Sequence, residues 1–374
     1  MSKLNKPIIR AAALGMAVGA GAMLYRDHLI HKHPLLTPSQ LRINRSLDRV
    51  LRYARSESNI RLDENSRFVI FSDHHRGARD TADDFQPCEI TYQKALDYYY
   101  QNGFTLILLG DVEELWENPI QPVIEAYEDI FLSEQRFYPD RYIRLVGNHD
   151  DAWNNPESVA RYLEPFYPRL QIQQGLIFEF DNAQVFGEIF LAHGHQGTLD
   201  ADYLAGVSPR ILPTYRQLQN KFRIGRTTPA TNDFLRGEHD TQMYRWASQN
   251  KKLILIAGHT HRPVWSSLTH LDQLFIQLYS LRSREKELSK IEYGKQYQEL
   301  LHSINKRIIK DPPVNDTLKT IPSYFNTGCC RFSDGDITGI EITGQTISLV
   351  KWDRKSLQRM ESISMLLDEL FAML

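Results

Sequence analysis

The sequence predicts an α/β fold with an added antiparallel portion (α+β), and three observations carry that prediction. Between residues 67 and 150, short apolar runs alternate with amphipathic stretches as strand–helix–strand–helix–strand. That is the pattern of a parallel layer joined by right-handed crossovers. Each of these runs ends on polar residues: Asp73-His74-His75, Gly110-Asp111 and Gly147-Asn148-His149-Asp150. Open α/β sheets bind ligands at the carboxyl ends of their strands. Farther on, residues 323–330, 336–343 and 346–352 read as antiparallel strands, with turns at Asp334-Gly335 and Thr343-Gly344.

The 374 residues are 42% hydrophobic and 24% charged, with a formal net charge of −2. Such a chain has ample material for a core, and its balance of charge gives no overall nucleic-acid footprint. Cys88, Cys329 and Cys330 are too few for a disulfide framework and favour a reducing compartment.

Over residues 1–35, Lys3, Lys6 and Arg10 precede an uncharged Ala/Gly-rich stretch at 11–25 that contains Gly15-x-x-x-Gly19. A basic start before such a run resembles a membrane anchor or a signal peptide, although the run is shorter than a full span needs. Membrane association through residues 8–25 is expected, with the rest of the chain on the cytoplasmic side. A signal cleaved near Ala20-Gly21-Ala22, or a marginal helix on a soluble chain, are the alternatives. Residues 36–65 read as a basic helix, capped at Thr37 with Pro38 at its first position. Leu41, Ile43, Leu47 and Leu51 are its apolar positions. Arg42, Arg45, Arg49, Arg52 and Arg55 form either a solvated face or a contact for anionic headgroups.

The main domain spans 66–352. Its first strand, at 68–71, is followed by a polar loop to Phe85 and a helix at 89–100 stopped by Asn102-Gly103. A strand at 104–109, a helix at 120–134 and a strand at 141–146 complete the repeated device, and a helix at 156–164 follows. A hairpin turning at Asp181-Asn182 leads to His193-Gly194-His195. Residues 197–250 form a helical insertion. A strand at 252–257 then delivers Gly258-His259-Thr260-His261-Arg262-Pro263. Residues 267–311 form a charged helical arm, and residues 353–374 a C-terminal helix presenting Ile363, Leu366, Leu367 and Leu370.

Five strand ends therefore carry Asp73/His75, Asp111, Asn148/His149, His193 and His259/His261. Carboxylate, amide oxygen and imidazole suit manganese, iron or zinc, with magnesium also open, and no cysteine stands in any block. The ordered blocks Asp-x-His, Gly-Asp-x-x-Glu, Gly-Asn-His-Asp, His-Gly-x and Gly-His-Thr-His resemble the calcineurin-like metallophosphoesterases over residues 66 to 350, the two helical insertions apart. The resemblance implies a four-layer α-β-β-α sandwich and two divalent metals. One would be held by Asp73, His75, Asp111 and His261, the other by Asp111, Asn148, His193 and His259, with Asp111 bridging. It further implies hydrolysis of a phosphomonoester, phosphodiester or pyrophosphate by in-line attack of metal-bound hydroxide. His149 is then expected at the phosphate and leaving group, beside Asn148, with Asp150 orienting and charging its imidazole.

The neighbouring residues read less specifically. Strand alternation turns His74 away from the donors. Arg76 is expected either at the substrate phosphate or in solvent, and His195 either supports the site or lies at the surface. Glu114 is expected to support the site by hydrogen bonding, and Trp116 to be core or a substrate platform.

Gly110-Asp-Val-Glu-Glu-Leu-Trp116 together with Gly258-His-Thr-His-Arg-Pro263 is similar to the UDP-2,3-diacylglucosamine pyrophosphatase branch. That resemblance implies a lipid-linked substrate beneath a helical lid at 197–250. The insertion mixes Arg210, Arg216, Lys221, Arg223, Arg226 and Arg236 with Tyr203, Leu212, Phe222 and Phe234. His149 and His195 depart from the Arg and Asp typical of that branch. Without a nucleic-acid module, a nuclease or cyclic-nucleotide diesterase is the weaker enzymatic alternative. A non-enzymatic scaffold would be expected to have lost donors, and none is lost. The expected partner is a phosphorylated small molecule or a lipid-linked substrate.

Overall fold

Runs of β-branched and aromatic residues form the centre of the chain, where strands covered on both faces need no polar side. The computed structural model describes residues 40–182, 185–197, 233–269, 289–310 and 321–374, with Leu274, Gln277, Leu278 and Leu281. The principal elements in chain order are α1 (Gln40–Glu57), β1 (Asn59–Arg61), β2 (Arg67–Phe71), α2 (Glu89–Gln101), β3 (Thr105–Leu109), α3 (Ile120–Ala126), α4 (Glu128–Gln135) and β4 (Tyr142–Leu145). Next come β5 (Ile172–Gln173), β6 (Leu176–Asp181), β7 (Phe186–Leu191), α5 (Asp233–Gln249), β8 (Leu253–Ala257), β9 (Val264–Trp265) and β10 (Leu268–Thr269). The chain closes with α6 (Lys290–Lys310), β11 (Tyr324–Asn326), β12 (Ile337–Thr343), β13 (Thr346–Asp353), β14 (Gln358–Leu366) and α7 (Leu367–Ala372).

Two seven-stranded sheets result, ordered β14-β13-β12-β2-β3-β4-β5 and β1-β6-β7-β8-β11-β9-β10. Alternation divides each strand between two cores. Phe68, Ile70, Ile107 and Leu109 meet Phe178, Ile189, Ile254 and Ile256 between the sheets. On the outer face of the first sheet, Val69, Phe71, Leu106 and Leu108 pack under Tyr92, Leu96 and Tyr99 of α2 and Phe131 of α4. On the outer face of the second, Phe190, Leu253 and Leu255 pack under Ile43, Leu47 and Leu51 of α1 and Trp246 of α5. The layers are thus α-β-β-α, the expected sandwich.

Several expectations are corrected. Most of the C-terminal helix is a strand: β14 pairs antiparallel with β13 from Thr346↔Leu366 to Asp353↔Gln358. Ile363 and Leu366 have helical spacing with Leu367 and Leu370, but they lie exposed on this edge strand, and only Leu367, Leu370 and Phe371 enter the core. Backbone pairing with β13 and the Arg359–Glu341 ion pair override the helical pattern. The helix over 120–134 breaks at Tyr127, whose backbone leaves the helical region at φ −127° and whose hydroxyl donates to Asp83. The 267–311 arm begins as β10, antiparallel to β9.

Residues 40–61 are not a separate helix, because β1 joins β6 in parallel and α1 is part of a core. In α1, Leu41 is exposed. Residues 1–39 with their anchor or cap, residues 198–232 of the insertion and most of the arm's start lie outside the described residues. No described helix is long and apolar enough to cross a membrane.

Candidate metal centre

Parallel pairing of β2, β3 and β4 brings their carboxyl ends side by side, and β7 and β8 are aligned in the same way in the facing sheet. Backbone bonds then lace the loops together. Asp73 N–H donates to the Gly110 carbonyl (3.1 Å), His75 N–H to that of Asp111 (3.0 Å) and Gly258 N–H to that of His193 (2.9 Å). Asp73, His75, Asp111, His259 and His261 all hold positive φ, between 51° and 66°. Few residues other than glycine adopt that conformation. Gly110 (φ +84°) is needed for close approach as well: a Cβ there would stand 2.7 Å from Gly147 N and from His193 Nδ1.

The loops bring six of the seven expected donors, all but Asn148, together with His149 into three overlapping groups: Asp73/His75/His261, His75/Asp111/His149 and Asp111/His193/His259. His75 Nε2 lies 3.1 Å from His261 Nε2 and 3.7 Å from Asp111 Oδ2. His261 Nε2 is 3.2 Å from Asp73 Oδ1, and His193 Nε2 is 3.1 Å from Asp111 Oδ2. Asp111 Oδ2 thus faces both groups. Asn148 Oδ1 and His259 Nε2 are buried without a hydrogen-bond partner, and Asp111 Oδ2 and His193 Nε2 are buried with only each other, 3.1 Å apart. Such atoms cost about 1–3 kcal/mol each when left unsatisfied. A divalent cation would satisfy all four at once, so the residues present fit a metal.

Contacts behind the donors aim them. His193 Nδ1 sits 2.8 Å from the Leu109 carbonyl, which turns its Nε2 toward Asp111. Burial lowers the basicity of the His193 ring, but the Asp111 carboxylate outweighs burial and pushes it up to about 10. His75 Nδ1 lies 2.9 Å from Glu114 Oε2. Burial first, then the charges of Arg331 and His149, depress the His75 ring to about 4, so it presents a neutral nitrogen. Burial would raise the Asp111 carboxyl, yet His193, His149 and His75 hold it well below the usual carboxylate range.

His149 is the most open of the titratable side chains in this cluster, 14% exposed. Its backbone N–H donates to Asp111 Oδ1 (2.7 Å), and its ring stacks on Trp116 at 4.2 Å between centroids. Its Nδ1 lies 2.7 Å from Glu114 Oε2, the same oxygen that meets His75. Despite burial, which would raise it, the Glu114 carboxyl is held well below its usual range by these two imidazoles. Trp116 is therefore both buried and a platform, for His149.

Two expectations are corrected here. Asp150 does not orient His149: its carboxylate accepts from Gly147 N–H (2.6 Å) and Val112 N–H (2.9 Å), bracing the loops that carry Asn148 and Asp111. Burial and the nearby Asp111 charge push it up to about 7. Arg76 faces neither the donors nor solvent. It is fully buried, paired with Glu134, 3.8 Å from Glu113, and flanked by the rings of Phe85, Tyr92 and Phe131. His74 faces the same side, against Phe85 and Tyr92. The alternation that turns His74 away applies equally to Arg76 two residues on, and that signal was in the sequence. His195 is half-buried, its ring 5.4 Å from that of His193.

Sequence reasoning also missed Arg144, Glu113, Arg331 and the pair His239-Asp240. Arg144 stands in the apolar run of β4, a cation where a strand is covered on both faces, and pairs with Glu113. Glu113 also accepts from Trp153 Nε1 at 2.8 Å. The other three carry no comparable signal, because the fold alone brings them to the site.

Residues 66–263, more than half of the chain, match the family described as calcineurin-like phosphoesterase, and the chain belongs to that family. Among solved structures, vacuolar protein sorting 29 from Cryptosporidium parvum is similar at a TM-score of 0.30 and 12% identity, over 81% of this chain and 100% of that one. No curated protein matches this chain. The family and the clusters of Asp and His indicate a metallophosphoesterase domain able to hold metal.

Proposed function

We propose that the protein hydrolyses a phosphoester with the help of two divalent cations. The observation that carries this reading is the convergence of buried donor atoms on Asp111, Asn148, His193 and His259, those of Asn148 and His259 without any partner, next to the Asp73/His75/His261 group. Cations held by Asp73, His75, Asp111 and His261, and by Asp111, Asn148, His193 and His259, would neutralise the phosphoryl oxygens and acidify a water near neutral pH.

The chain's own residues supply the rest. Trp116 and Glu114 fix the His149 ring, and the Glu114 carboxylate favours a protonated imidazole. From that position His149 would donate a proton to the leaving oxygen. Asp150 keeps Asn148 and Asp111 in register by bracing Gly147 and Val112.

The finer reading is a UDP-diacylglucosamine-type pyrophosphatase. It is supported by the Gly110–Trp116 and Gly258–Pro263 blocks and opposed by His149 and His195. Membrane association through residues 8–25 would bring such a lipid-linked substrate to the site.

The test is metal analysis of the purified full chain, followed by a screen of aryl phosphomonoesters, aryl phosphodiesters, nucleoside diphosphates and a UDP-linked lipid with manganese, iron, zinc or magnesium. Two ions per chain and metal-dependent hydrolysis are expected, abolished in Asp111→Ala. A chain that binds divalent ions but turns over none of these substrates would sink the enzymatic reading.

A further inference from the structure

His239 and Asp240 stand on α5, outside every block that carries a donor. The C-terminal part of α5 is anchored to the second sheet: Met243, Trp246 and Ala247 pack against the core that holds Phe190 and Leu253, and Trp246 Nε1 donates to Asp48 of α1 (2.9 Å). One to two turns earlier, the same helix reaches two donor loops. His239 Nε2 lies 2.7 Å from the Gly194 carbonyl, the residue after His193, and its ring is 5.2 Å from that of His259. Asp240 is fully buried. Its Oδ1 accepts from the Thr260 hydroxyl (2.9 Å) and the Tyr324 hydroxyl (2.8 Å). Its Oδ2 accepts from Arg262 Nε (3.1 Å) and Nη2 (2.7 Å).

Thr260 sits between His259 and His261, and Arg262 follows them. Both histidines hold positive φ, 66° and 55°, so the turn is one that its own backbone does not favour and that its surroundings must impose. We infer that Asp240 is a positioning residue for the metal centre, its carboxylate clamping the 258–262 turn through Thr260 and Arg262 and so setting the aim of His259 and His261. The inference rests on the metal-centre reading proposed above. Charge-assisted bonds of this kind are short and directional, and they join the turn to a helix rather than to another loop. The described helix of the 197–250 insertion, α5, is then part of the frame of the site, not a separable cover over it. The competing account is that other bonds hold the turn: Gly258 N–H reaches the His193 carbonyl (2.9 Å), Thr260 N–H reaches the Gly258 carbonyl (2.8 Å), Asn326 Nδ2 donates to the Gly258 carbonyl (2.6 Å), and His259 N–H donates to Asp73 Oδ2 (2.9 Å). In that case Asp240 only satisfies buried partners.

The full chain carrying Asp240→Asn, compared with Trp246→Phe, separates these accounts. Trp246→Phe loosens the same helix at Asp48 without touching the turn. Two measurements apply: calorimetric titration with Mn²⁺, and amide hydrogen exchange of residues 258–262 in metal-free protein. Asp240→Asn is expected to weaken Mn²⁺ binding by about 10–100-fold and to speed exchange in the turn. Trp246→Phe is expected to lower Tm and leave both measurements at wild-type values. Folded Asp240→Asn with wild-type exchange in the turn overturns the clamp, and so does an equal shift in both variants. Wild-type protein that binds no Mn²⁺ defeats the metal-centre reading instead, while the exchange comparison still decides the clamp. If Asp240→Asn fails to fold, Arg262→Gln removes the two guanidinium bonds to Asp240 and is read by the same two measurements.

Discussion

Adjacent residues in one loop take opposite parts, as Asp73 to Arg76 demonstrate. Asp73 and His75 face the cluster, whereas His74 and Arg76 face the aromatic core under α2. Arg76→Ala would leave Glu134 buried without its strongest partner, a loss of about 3–5 kcal/mol, so chemical denaturation should detect a large effect and KM little. The cation whose charge bears on the cluster is Arg331. It pairs with Asp84, is 24% exposed, and bears on the His75 ring by its charge. Arg331→Ala should raise KM for a phosphomonoester several-fold with little change in Tm; an unchanged KM would remove Arg331 from the substrate's path. Glu114 offers a pH test. Because His149 and His75 hold its carboxyl well below the usual range, the carboxylate must in turn favour protonated imidazole. Glu114→Gln should therefore lower kcat by about 10–100-fold. It should also move the alkaline limb of the pH–rate profile to lower pH, since the acid form of His149 would be lost sooner as pH rises. A fixed limb would separate Glu114 from proton donation.

At the scale of elements, legibility follows burial. β2, β3, β4 and β8 are short apolar runs with a donor at the end, and nothing but a covered strand fits them. β14 was illegible because it is an edge strand: Arg359, Glu361, Ser362 and Ser364 interrupt any period of two, while residues 363–370 happen to match a helical spacing. Its conformation comes from pairing with β13, which periodicity does not encode. The break at Tyr127 was equally hidden, since it depends on Asp83 from a distant loop. Two substitutions distinguish strand from helix at the C-terminus. Leu370→Ala removes a fully buried side chain between the sheets and should cost about 2–5 kcal/mol. Ile363→Ser, on the exposed strand, should stay within about 0.5 kcal/mol. Equal losses in urea melts would mean that Ile363 packs as a helical residue after all.

The donors of the whole molecule come from both sheets. Asp73, His75, Asp111 and Asn148 follow β2, β3 and β4, whereas His193, His259 and His261 follow β7 and β8. No single stretch of sequence specifies that meeting; it follows from the closing of two sheets over the core around Phe68 and Phe178. The order of the five blocks was legible, but the bonds that Asp240, Arg144 and Arg331 make were not, because each partner lies far away in the chain. Cations at this seam would join the sheets at one edge, and metal binding would then be coupled to folding. A cation that binds only the folded chain stabilises it by about 2.7 kcal/mol per site at 100 times its Kd. Stripping metal with a chelator should therefore lower Tm by several degrees, and adding Mn²⁺ back should restore it in proportion to the logarithm of its concentration. Adding Mn²⁺ should also slow exchange at the 258–262 turn and at residues 73–75 together, since both sheets would share the ions. A Tm identical with and without Mn²⁺, at concentrations that support full turnover, would mean that the seam is closed by protein contacts alone.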